Sequence, residues 1–322
     1  MGIMVNGEWQ QEDFARRNKD GRYVRASTQF HDQVTADGSS GFPAEAGRYQ
    51  LYVAHACPWA YRTLVFRALK GLDEAISVSF VKPLMLENGW EFPDGGDPLT
   101  GARAMHDIYR KARPDYTGRC SVPVLWDKQA QTIVNNESAQ IIRMLNTAFD
   151  AIAAREVPDL YPDDLRAEID AVNELVYENI NNGVYKTGFA TTQAAYEDAF
   201  DAVFRALDEV EDRLATRRYL IGERITEADW RLFATLIRFD AVYFGHFKCN
   251  QRRIKDYPNL SSYTRELYQW PGIAEITDFP KIKAHYYGSH RAINPFGIVP
   301  KGPELDVDQP HDRGRLPAAW TP

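Results

Sequence analysis

Apolar and polar positions alternate along Tyr49-Gln50-Leu51-Tyr52-Val53-Ala54, the period of a β-strand, and from Cys57-Pro58-Trp59 the spacing turns helical as far as Lys70. Proline suits the first helical position and Gly71 the residue past the end, while Leu64, Val65, Phe66 and Leu69 supply a broad apolar face. Residues 75–81 are again strand-like, so the unit is strand, helix, strand, and its two strands should be parallel. The pattern then breaks over 82–105, a Pro- and Gly-rich stretch that reads as a long loop and carries Trp90 and Phe92. Residues 122–127 and 132–135 predict a hairpin, followed by a helix from Glu137-Ser138 through Ile141, Ile142 and Leu145.

Past a linker near 157–164 the strand signals stop. Leu165, Ile169, Val172, Val176 and Ile180 keep helical spacing, as do Ala195, Ala199, Val203, Leu207 and Leu214. Thr226-Glu227-Ala228-Asp229 predicts a capping box at the head of another helix, with Ile225 and Trp230 flanking it as a staple. The chain therefore divides into an extension over 1–47, an α/β domain over 48–156, an all-helical domain over 157–290 and a Pro- and Gly-rich C-terminal extension over 291–322 that wraps a surface or a partner.

Composition narrows the function. Thirty-eight basic residues against 45 acidic ones give a net charge of −7, with basic pairs scattered among acids, which does not support nucleic-acid binding. No apolar run approaches the roughly 18 residues of a membrane span. An apolar signal core is absent, and Glu8, Glu12 and Asp13 count against a transit peptide, so the expected compartment is the cytoplasm. The three cysteines, Cys57, Cys120 and Cys249, are odd in number and far apart, which favours thiol chemistry over a disulfide framework.

Cys57 is the strongest candidate nucleophile, because a helix N-terminus offers amides and partial positive charge that favour a thiolate. Ala60 stands where a Cys-x-x-Cys motif would hold its second thiol, so an external thiol must complete any turnover. His246 and Cys249 have a spacing compatible with a shared metal, but no second ligand pair accompanies them and no metal is expected. Read alone, Trp90, Tyr185, Tyr243, Tyr286 and Tyr287 fit core packing as well as ligand contact.

This order of elements resembles the glutathione transferase superfamily, an α+β architecture with a thioredoxin-like N-terminal domain and an all-helical C-terminal domain. Val122-Pro123 matches its cis-proline site and Glu137-Ser138 its glutathione-binding pair. Further stretches resemble the Xi class, the glutathionyl-hydroquinone reductases: Cys57-Pro58-Trp59-Ala60, Asn88-Gly89-Trp90, Asn181-Asn182-Gly183-Val184-Tyr185-Lys186, Arg238-Phe239-Asp240, Gly245-His246-Phe247-Lys248-Cys249-Asn250 and His285-Tyr286-Tyr287-Gly288-Ser289-His290. The sequence departs from that pattern at Tyr61, where a histidine is expected, and at Cys120, where an aliphatic residue is usual.

The resemblance implies that Cys57 is the nucleophile and that Trp90 stacks over glutathione. It implies that Arg119 and the Val122 backbone anchor the ligand, that Glu137 and Ser138 bind its γ-glutamyl end, and that Tyr185, Tyr243 and Tyr286 line the substrate pocket, Tyr185 and Tyr286 with catalytic roles. Glutathione is then a co-substrate, glutathionyl-hydroquinones are the substrates, and the assembly is a homodimer. A general monothiol transferase of the Omega type would use the same Cys57 without needing the tyrosines.

Overall fold

The computed structural model describes residues 2–11 and 17–321, and Glu12 and Asp13 lie outside them. The described residues fall into two compact units, one of 2–11 and 25–158, the other of 17–24 and 159–321. Part of the expected N-terminal extension, 25–47, thus packs with the first unit, and 17–24 packs with the second.

The first unit opens with an antiparallel hairpin, β1 (Gly2–Val5) and β2 (Glu8–Gln11). It continues through β3 (Tyr49–Val53), α1 (Pro58–Leu69), β4 (Ile76–Phe80), a two-residue hairpin of β5 (Met85–Leu86) and β6 (Gly89–Trp90), α2 (Met105–Ala112), β7 (Val124–Asp127), β8 (Thr132–Asn135) and α3 (Ser138–Thr147). The sheet order is β4-β3-β7-β8, with β3 parallel to β4 and antiparallel to β7, as the strand-helix-strand pattern and the resemblance to a thioredoxin-like domain require. Every residue of β3 is buried, as suits a strand covered on both faces. Its amide side chain, Gln50, donates to Ser79 Oγ at 2.7 Å.

Two elements depart from the sequence reading. The stretch expected to be a bare loop holds the β5–β6 hairpin, in which Met85 pairs with Trp90. Gly89 turns at φ +70°, with the Trp9 ring packed where a side chain would stand. Helix α2 was not anticipated, because its eight residues follow directly on a Gly- and Pro-rich segment; Met105, Ile108 and Tyr109 form its buried face.

The second unit is helical: α4 (Arg166–Val176), α5 (Gly183–Gly188), α6 (Gln193–Thr216), α7 (Glu227–Arg238), α8 (Pro258–Tyr268) and α9 (Phe279–Ser289). Helix α7 is buried along its whole length, and the predicted capping box forms at its head. The Asp229 carboxylate accepts from the Thr226 N–H at 2.8 Å, the Leu220 N–H at 2.8 Å and the Tyr263 hydroxyl at 2.7 Å. The C-terminal extension wraps this unit: the buried Arg313 donates to the carbonyls of Leu214 at 2.9 Å and Arg218 at 3.0 Å, and Trp320 packs on Trp270. Among the described residues no helix is long and apolar enough to cross a membrane.

Candidate active site

Cys57 caps the N-terminus of α1 in an extended conformation, with Pro58 in the first turn as the sequence predicts. Its sulfur accepts from the Ala60 N–H at 3.5 Å, and its thiol donates to the Val122 carbonyl at 3.3 Å. The Val122-Pro123 bond is cis, as the resemblance implied, and it immediately precedes β7. Cys57 is partly exposed, whereas Cys120 and Cys249 are buried, and burial pushes both of those thiols well above the usual cysteine range. Of the three, Cys57 is the one that combines access with a backbone N–H donor to its sulfur, the setting in which thiols react.

The start of α3 supplies a second set of polar groups. Glu137 is the N-cap, its carboxylate accepting from the Ala139 N–H at 3.2 Å and from the Thr28 hydroxyl at 3.1 Å. Ser138 follows, buried, and its Oγ has no hydrogen-bond partner among the described residues. A buried hydroxyl without a partner costs free energy, and a ligand oxygen at a helix N-terminus would remove that cost. Asn135 and Asn136 hold this turn in place: Asn135 Oδ1 accepts from the Glu137 N–H at 2.7 Å, and Asn136 Nδ2 donates to the Tyr109 hydroxyl at 2.9 Å.

Trp90 is buried in the β5–β6 hairpin, and Arg119 is half-buried with Nη1 donating to the Gly2 carbonyl at 2.8 Å. Cys57 and Val122 are therefore in direct contact, and Glu137 and Ser138 share the head of α3, while Trp90 and Arg119 stand on separate segments of the same unit.

In the second unit Tyr185 from α5, Tyr243 from the π-helical stretch Phe239–Tyr243 that follows α7, and Tyr286 from α9 are brought together. Tyr286 is the centre, its hydroxyl oxygen 2.6 Å from that of Tyr185 and 2.9 Å from that of Tyr243. Burial, together with the two neighbouring tyrosines, pushes the Tyr286 hydroxyl well above its ordinary range, so it remains a proton donor at neutral pH. Phe247 packs against all three rings, and it does so over Gly188, where an added Cβ would come within 2.2 Å of its ring.

Histidines 246, 285 and 290 adjoin this cluster, with His246 Nε2 3.2 Å from His290 Nδ1. Sequence spacing pairs His246 with Cys249 rather than with these histidines. Among the described residues no group of three His, Cys, Asp or Glu side chains is placed to hold a metal ion. Thr28 and Asn136 were also missed as parts of the site, since their contacts join segments more than a hundred residues apart and leave no local pattern.

Residues 56–148 match the family model for the glutathione S-transferase N-terminal domain, and residues 193–266 that for the C-terminal domain. The chain is 50% identical to the glutathionyl-hydroquinone reductase YqjG of Escherichia coli (strain K12) over 97% of its own length and 98% of the relative's. The glutathione-bound structure of YqjG superposes with a TM-score of 0.90 over 97% of this chain and 99% of that one, at 49% identity. The glutathionyl-hydroquinone reductase PcpF of Sphingobium chlorophenolicum is 51% identical over 94% of this chain and 96% of its own. A Xi class GST from Natrialba magadii superposes with a TM-score of 0.92 at 46% identity, covering 99% of this chain and 98% of that one.

Proposed function

Because this chain belongs to the glutathione S-transferase family, and within it to the glutathionyl-hydroquinone reductases, we propose that it reduces glutathionyl-hydroquinones to hydroquinones with glutathione as the reductant. The observation that carries this reading is the tyrosine trio, with Tyr286 as a buried, protonated hydroxyl between Tyr185 and Tyr243. Thiol-disulfide exchange alone has no use for such a group, whereas thioether cleavage has.

In the proposed mechanism the glutathione moiety binds through Glu137 to its ammonium, through Ser138 and the α3 amides to its carboxylate, and through Val122, Arg119 and Trp90 along its length. The Cys57 thiolate attacks the glutathione sulfur. An aryl carbanion is a poor leaving group, so the ring first tautomerises to a keto form. The carbon–sulfur bond then breaks with its electron pair delocalised as an enolate, which a tyrosine hydroxyl stabilises by hydrogen bonding and a proton converts to hydroquinone. Cys57 is left in a mixed disulfide with glutathione. A second glutathione thiolate attacks that disulfide, giving glutathione disulfide and the Cys57 thiolate. One protein thiol suffices, in keeping with Ala60 in place of a resolving cysteine.

The reading extends to a cytoplasmic homodimer. Its support is three cysteines outside any disulfide and, past His290, the exposed apolar side chains of Phe296, Ile298 and Val299.

The test is a glutathione-dependent assay on a glutathionyl-hydroquinone beside a small mixed disulfide. Wild type should turn over both and Cys57→Ser neither. Turnover of the disulfide alone would assign the protein to the Omega-type thiol transferases instead.

A further inference from the structure

Thr28 lies in a segment outside the helices and strands of the first unit, yet its hydroxyl reaches Glu137 across 109 residues of sequence. The segment is anchored independently of that contact. The Phe30 N–H donates to Asn136 Oδ1 at 3.1 Å and the Phe30 carbonyl accepts from the Asn136 N–H at 3.2 Å. Asn135 Nδ2 donates to the Asp32 carbonyl at 2.9 Å, and the Phe30 ring packs on Tyr109 and Tyr116 under the Arg113 guanidinium. The backbone that carries Thr28 is thus held against the end of β8 and the head of α3, whatever its side chain does.

The consequence falls on the Glu137 carboxylate. One of its oxygens, Oε1, is held by the Ala139 N–H and the other, Oε2, by the Thr28 hydroxyl, so two different segments fix the plane of a side chain that otherwise has three rotatable bonds. We propose that Thr28 is a positioning residue of the glutathione site, locking the Glu137 carboxylate in the orientation that meets the γ-glutamyl ammonium of the ligand. This rests on the reading of Glu137 as the ammonium partner. It gives the segment over 25–34 a task in ligand selection: the fixed carboxylate discriminates for a cationic amine, while the remaining lone pairs of both oxygens stay available to it.

The test uses full-length enzyme with two ligands, the glutathionyl group and its analogue lacking the γ-glutamyl amino group, each presented as the mixed disulfide of one small thiol and reduced by glutathione. Thr28→Val should raise KM for the glutathionyl disulfide roughly threefold to tenfold, the range one net hydrogen bond covers. The loss should fall on KM more than on kcat, leave KM for the deaminated analogue unaltered, and be restored by Thr28→Ser. In a Glu137→Gln background the same substitution should add little, because its effect passes through that carboxylate. Equal losses for both ligands, or an undiminished loss in the Glu137→Gln background, would show a merely structural role and overturn the inference. A wild type that discriminates between the ligands beside a Thr28→Val that does so equally well overturns this inference alone. A wild type that uses both ligands alike overturns the Glu137 reading and this inference with it.

Discussion

Tyr185 and Tyr286 place their hydroxyl oxygens 2.6 Å apart although 101 residues separate them in the chain. With Tyr243 they make three hydroxyls joined by two contacts, both of them through the Tyr286 oxygen. Tyr286→Phe keeps the ring and breaks both contacts. The expected result is thioether cleavage slowed on the order of 10²-fold, the lower range for loss of a positioned acid, with reduction of a small mixed disulfide slowed far less. Steady-state rates on the two substrates check it, and equal losses on both would remove the tyrosines from the chemistry.

Ser138 gives a prediction of opposite sign for stability and binding. Its buried Oγ has no partner among the described residues, so Ser138→Ala should leave the ligand-free protein as stable or up to about 1 kcal/mol more stable. Glutathione binding should weaken severalfold, since the ligand carboxylate loses a donor. Thermal unfolding with and without glutathione separates the two effects.

Thiol reactivity should be confined to one position. Cys120 and Cys249 are buried and held protonated, while Cys57 is partly exposed at a helix start. Alkylation of the folded enzyme by iodoacetamide should modify Cys57 first and abolish activity with a single label, as peptide mass mapping would show. Rapid labelling of Cys120 would contradict the structure.

Acid should loosen the helical unit. His246 and His290 are buried against each other; burial holds His246 down at about 4 and His290 well below its usual range. The unfolded chain titrates its histidines near 6.5, so between about 4 and 6.5 it binds more protons than the folded one, and stability falls as pH falls through that window. For His246 alone the loss reaches about 2 kcal/mol at pH 5. Asp229 acts in the other direction over roughly 4 to 6, because burial raises its carboxyl to about 6 in the fold. The effect of the histidine is therefore read as a difference: denaturant unfolding from pH 8 to 5 should show a shallower loss in His246→Gln than in wild type.

What the sequence made legible was what local chemistry decides. Cys57 before Pro58 marks a helix start, Thr226 and Asp229 mark another, and the β-branched run after Gly71 marks the parallel partner of β3. Helix α2 and the β5–β6 hairpin escaped because eight residues and two-residue strands carry too little periodicity to stand out from a Gly- and Pro-rich surrounding. The tyrosine trio was named from resemblance, but its hydroxyl network, the histidines beside it and the Thr28 contact to Glu137 exist only once distant segments meet. Long-range side-chain bonds leave no trace in spacing.

The proposed mechanism turns on one step, transfer of the glutathionyl group from the substrate to Cys57. The most direct measurement is a single turnover of the reduced enzyme with a glutathionyl-hydroquinone and no free glutathione, followed by intact mass and product analysis. One glutathionyl group should appear on Cys57 for each hydroquinone released and be removed again by added glutathione, and Cys57→Ser should give neither adduct nor hydroquinone. Hydroquinone released without an adduct on the wild-type enzyme, or at an undiminished rate by Cys57→Ser, would contradict that mechanism.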